Sequence, residues 1–104
     1  MIGFAYLWEY EVDPAHLGDF ERLYGPSGDW VELFRLSAGY RRTELHRDRE
    51  SPHRFVTIDY WESARAWQEC WTMVGERFEE LDRRGQELTV SERELGRFDL
   101  RGDE

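Results

Sequence analysis

Over the first twelve positions, apolar side chains fall on every second residue. Ile2, Phe4, Tyr6, Trp8, Tyr10 and Val12 share one face, while Gly3, Ala5, Leu7, Glu9 and Glu11 share the other. A period of two predicts a strand over 2–12 with its even face buried. The odd face is itself partly apolar, so it too is expected to be covered. Asp13-Pro14 predicts a helix start, with an acid at the cap and proline at the first helical position. Leu17, Phe20 and Tyr24 continue one side of that helix until Gly25-Pro26-Ser27-Gly28 breaks it. Asp29-Trp30-Val31-Glu32 has the spacing of an acidic capping box. It predicts a second short helix with Trp30, Leu33, Phe34 and Ser37 facing inward, ending at Ala38-Gly39.

Tyr40 to Arg47 and Arg54 to Trp61 read as further strands, joined by the polar connector Asp48 to His53. The second of these alternates Phe55, Thr57, Asp59, Trp61 against Val56, Ile58, Tyr60. Apolar residues on both faces predict a central strand. Ser63 caps a long helix whose stripe is Trp67, Trp71, Val74, Phe78 and Leu81, with Gly85 as its expected stop. A last strand is expected around Arg97 to Leu100. The order is β, α in two pieces, β, β, α, β. Right-handed crossovers then set the first and third strands side by side. The expected class is α+β: a ferredoxin-like antiparallel sheet with helices on one face. The helices leave the other sheet face apolar and uncovered, and a second copy of the same sheet is the economical way to bury it. A homodimer is therefore expected.

A chain of 104 residues fits a single domain, 1–104. An aromatic fraction of 15% supplies enough large side chains for one modest core and argues against disorder, despite 36% charged residues. The net charge of −9 repels phosphate backbones, so nucleic acid and anionic membranes are not expected partners. Every Lys/Arg-type cation is Arg, and Asn is absent, so no Asn amide is available for a pocket. Cys70 stands alone, which excludes an internal disulfide and a cysteine-rich metal site. The start of the chain lacks a signal-peptide pattern. No apolar run approaches the ~20 residues that span a bilayer. A cytoplasmic protein is expected.

Several runs together resemble one family. They are Trp8-Glu9-Tyr10, the stretch Tyr24 to Trp30, Leu33-Phe34-Arg35, Gly39-Tyr40, Thr43-Glu44-Leu45, Arg47-Asp48 and Thr57 to Ser63. In these the chain resembles small proteins of the antibiotic biosynthesis monooxygenase family, over nearly its whole length. The resemblance implies a dimeric α/β barrel of two sheets packed face to face. It also implies oxidation of aromatic polyketides or quinols by O2 without a cofactor, although other relatives degrade haem or have no known activity. Some relatives use a polar group on the first strand, often Asn, at the position matching Trp8. The haem-degrading relatives use a His on the long helix, and this long helix has none.

Oxygenation without a cofactor needs an electron-rich phenol or anthrone, a group that favours its anion, and a dry aromatic cavity. Tyr6, Trp8 and Tyr10 opposite Trp67 and Trp71 could wall such a cavity and bind the substrate; the same spacing also describes plain core. His46 is a candidate base, because an unperturbed imidazole titrates near pH ~6.5. A partly exposed strand histidine is the plainer reading. Asp59, a carboxylate inside an apolar strand, is the second catalytic candidate, or else the partner of an Arg across the sheet or at a dimer interface. Glu9 invites the same pairing. Cys70 reads as a buried inert thiol. The three His have no metal-ligand spacing, and no phosphate-binding or dinucleotide motif occurs. Two functions follow: a cofactor-independent monooxygenase or related enzyme for an aromatic or quinone-like small molecule, or a non-catalytic dimeric binding or accessory module.

Overall fold

The structure is a computed structural model that describes residues 3–101. Ile2, assigned above to the first strand, lies outside the described residues. The elements are β1 (Phe4–Val12), a 3-10 turn (Pro14–His16), α1 (Leu17–Tyr24), α2 (Asp29–Phe34), β2 (Tyr40–Arg47), β3 (Arg54–Trp61), α3 (Ala64–Gln86) and β4 (Thr89–Asp99). The strands form one antiparallel sheet in the order β2-β3-β1-β4, with the helices on one face, which is the ferredoxin-like arrangement. β1 and β3 are the central pair, as the alternation on both their faces requires.

The even face of β1 meets the helices. Phe4, Tyr6, Tyr10 and Val12 are buried there, against Phe20 and Tyr24 of α1 and Trp67 of α3. From β3, Phe55, Thr57 and Trp61 join the same core. The outer face carries half-buried Leu7, Val56, Ile58 and Tyr60. Polar cover on that face comes from Glu9, which pairs with Arg54 and with Arg93 at 2.7 Å, while Arg54 also reaches Asp48 at 3.0 Å.

Three local expectations are corrected. β4 spans Thr89–Asp99 rather than beginning near Arg97. It is an edge strand whose middle is Ser-Glu-Arg-Glu, so it shows no apolar period; its backbone pairing with β1 makes it a strand. The cap of α2 is Gly28 rather than Asp29, and a Cβ at 28 would sit 2.5 and 2.6 Å from the carbonyl oxygens of Arg22 and Leu23. Asp29 becomes the first helical residue and pairs with Arg84 of α3 at 2.8 Å. Gly85 does not stop α3, which runs on to Gln86.

Gly85 is instead a buried point of close approach, where a Cβ would collide with the Tyr24 hydroxyl. Gly85→Ala is therefore expected to destabilise the protein by about 1–3 kcal/mol through overpacking, against the ~1 kcal/mol that alanine normally gains in a helix. Urea unfolding checks this, and Tyr24→Phe in the same chain should restore most of the loss.

Candidate active site

Between the inner face of the sheet and α3 lies a cavity of about 210 Å³. β1 supplies Tyr6, Trp8 and Tyr10 at every second position, and α3 supplies Trp67 and Trp71 one helical turn apart. The strand and helix periods bring all five sequence-predicted aromatic residues to one space. Tyr6 meets Trp67 edge-on, with ring centres 4.9 Å apart, and Trp67 meets Trp71 the same way at 6.1 Å. Trp8 is the one side chain of the even β1 face, among the described residues, that is only half-buried, because the cavity lies against it.

Asp59 of β3 also lines the cavity. Across the sheet, the partner seen among the described residues is not an Arg. Instead the Thr43 hydroxyl of β2, directly across the ladder, donates to Asp59 Oδ1 at 2.6 Å. The hydroxyls of Thr43 and Tyr40 are 2.7 Å apart. Thr43 has a single proton and spends it on Asp59, so Tyr40 is the donor in that bond. Desolvation pushes the Asp59 carboxyl up to about 6, partly offset by the Thr43 hydrogen bond, which favours the charged form. A carboxyl with that affinity is ionised at neutral pH and basic enough to take a proton from an acidic phenol or anthrone.

His46 is not brought to this cavity. The register that turns Thr43 and Leu45 inward turns Glu44 and His46 to the outer face, where His46 is exposed and lies 3.1 Å from Glu44 Oε1. Cys70 is buried and unpaired, and burial pushes its thiol up, away from the reactive thiolate. Among the described residues no group of three His, Cys, Asp or Glu is placed to hold a metal ion. No helix among them is long and apolar enough to cross a membrane.

The model of the antibiotic biosynthesis monooxygenase family matches residues 4–70, from β1 into α3. The chain belongs to this family. No curated protein matches the sequence. Among solved structures, it is similar to SnoaB, a cofactor-independent oxygenase from Streptomyces nogalater, at a TM-score of 0.79 and 19% identity, over 99% of this chain and 97% of that one. It is also similar to the monooxygenase ActVA-Orf6 of Streptomyces coelicolor, solved with nanaomycin D, at 0.78 and 22%, over 98% and 90%. A dimeric ferredoxin-like protein from an uncultured marine organism follows at 0.72 and 15%, over 99% and 91%. At these identities the likeness is one of fold.

The cavity has two further acids that the sequence did not single out. Glu92 of β4 and Asp82 of α3 both line it. Glu92 Oε2 is buried and has no hydrogen-bond partner among the described residues. Burial, and then the like charge of Asp82, push the Glu92 carboxyl up. Both residues sit in charged runs, where an acid carries no signal of its own. Placing Glu92 needed β4 to be read as a strand paired to Tyr10, the residue opposite it.

Proposed function

We propose that this protein is a cofactor-independent oxygenase that acts on an electron-rich hydroxyaromatic ring of the anthrone or hydroquinone kind, with Asp59 as its base. The observation that carries this reading is an acidic group of raised proton affinity on the wall of an aromatic cavity, with Oδ1 held by the Thr43 hydroxyl. Membership of the family and the fold shared with two oxygenases support it.

For an anthrone, Oδ2 takes one methylene proton and the resulting anion passes an electron to O2. The radical pair joins in a carbon–oxygen bond, and the proton held by Asp59 returns to the terminal oxygen to give a hydroperoxide. The O–O bond then breaks as the second methylene proton leaves, forming the carbonyl and one water. The CH2 group supplies four electrons and O2 accepts four, so the substrate is the only reductant. Tyr6, Trp8, Tyr10, Trp67 and Trp71 would bind the flat ring and keep water from the anion.

An oxygen electrode with 1,8-dihydroxyanthrone tests this directly. One O2 per anthraquinone formed, at a rate well above autoxidation and with no hydrogen peroxide released, is the expected result. Rates at background across anthrones and quinols would sink the proposal and favour a non-catalytic binding module. A second expectation concerns Thr43. Thr43→Val removes a hydrogen bond that favours the charged form of Asp59, so the carboxyl moves above about 6. The pH–rate profile should rise later, at higher pH, than that of the parent protein.

The functional unit we propose is a homodimer in which the outer sheet faces of two copies meet. Leu7, Val56, Ile58 and Tyr60 are half-buried there, and Phe98 is 48% exposed. A patch of this kind is best covered by its own copy through a two-fold contact. Light scattering should give twice the mass of one chain.

A further inference from the structure

We infer that the cavity, taken as the site proposed above, selects uncharged or cationic hydroxyaromatic ligands against carboxylated ones, with Glu92 and Asp82 as the discriminating residues. The inference rests on that reading of the cavity and concerns which members of the substrate class it admits.

Three acids from three elements line this space, Asp59 of β3, Asp82 of α3 and Glu92 of β4, and among the described residues no Arg or His lines it with them. The net charge of the chain, −9, adds to the same field. A ligand carboxylate would bring a like charge into a poorly solvated space, where repulsion is several times stronger than in water. The guanidinium that does approach the aromatic wall, Arg97, does not itself line the cavity and is paired with Glu94 at 3.3 Å.

Two observations say what the cavity accepts instead. Glu92 Oε2 is buried without a hydrogen-bond donor among the described residues, although a buried acceptor normally has one. A ligand hydroxyl or ammonium group would supply it, whereas a carboxylate has no proton to give. Arg97 also shows that the aromatic faces here take a cation, since its guanidinium carbon lies 4.8 Å from the ring centre of Trp67 and 5.4 Å from that of Tyr6. Asp82 keeps Glu92 company from the helix side, with Oδ2 accepting from Gln86 Nε2 at 3.2 Å.

Calorimetric titration at low ionic strength tests this with three probes on one ring system: 1,8-dihydroxyanthraquinone, its 3-carboxylic acid and its 3-aminomethyl derivative. The acid should bind at least about tenfold more weakly than the neutral compound, and the amine at least about threefold more tightly. Glu92→Gln and Asp82→Asn, which keep shape and remove charge, should each narrow the gap between acid and neutral compound. If a variant fails to fold, the three probes on the unaltered protein decide. Binding of all three within twofold, or tightest binding of the acid, would overturn the selectivity and leave the cavity as the site. Binding of none would overturn the site reading, and the selectivity with it.

Discussion

Asp59→Asn is expected to remove turnover and, at neutral pH, to make the protein more stable. The first effect follows from the proposed chemistry. An amide cannot take the substrate proton, and loss of a general base commonly lowers kcat by about 10²–10⁴-fold. The second follows from the environment of the carboxyl. Burial raises it from 3.8 to about 6 in the folded chain. Between those values the folded protein binds more protons than the unfolded chain, so stability falls as pH rises through that window and levels off above about 6. A shift of this size corresponds to up to about 3 kcal/mol withheld from the folded state at pH 7. Asn does not titrate, so its advantage should be absent below pH 4, grow across the window and be complete above it. Urea unfolding at pH 4, 5, 6 and 7 reads the stability, and oxygen uptake reads the activity. Unchanged stability at pH 7 would mean that the carboxyl is not desolvated. Retained turnover would place the base elsewhere.

The same residue shows how much of this site is legible in a sequence. An acid inside the apolar run Phe55 to Trp61 stands out, because charge in a central strand must be compensated. What compensates it does not stand out. The partner is the hydroxyl of Thr43, fixed by the β2–β3 register, which shifts between Tyr40 and Arg42. That register also decides His46. Parity along β2 puts it on the face away from the cavity, and no composition or spacing reveals a bulge in advance. The aromatic wall was readable because two independent periods, two along β1 and 3.6 along α3, were both clean. β4 was not, because an edge strand with polar residues on both faces has no period to read. Glu92 was lost with it. Gly85 looked like a helix end because glycine usually marks one, whereas here the missing Cβ makes room for Tyr24.

Trp61→Ala is expected to be the most damaging single truncation in the core. Trp61 is fully buried at the end of β3, pairs across the ladders with Phe4 and Tyr40, and takes the rings of Phe34 and Tyr40 edge-on at 5.2 and 5.3 Å. Removing a fully buried Trp costs about 3–5 kcal/mol, a large part of the ~5–15 kcal/mol that holds a small domain together. Trp61→Phe should cost much less. It keeps an aromatic ring between Phe34 and Tyr40, and it deletes an indole N–H that is buried with no partner among the described residues. Urea unfolding should therefore rank the Phe variant well above the Ala variant. A loss below about 1 kcal/mol for Ala would contradict the packing described here. The substitution also reaches the site. Tyr40 packs on Trp61 with its ring and donates to Thr43 with its hydroxyl, and Asp59 lies two residues before Trp61 on the same face. In the Ala variant the hydroxyl chain loses the surface that holds its first member. Any residual turnover should then begin at higher pH, whereas the Phe variant should keep the parent profile.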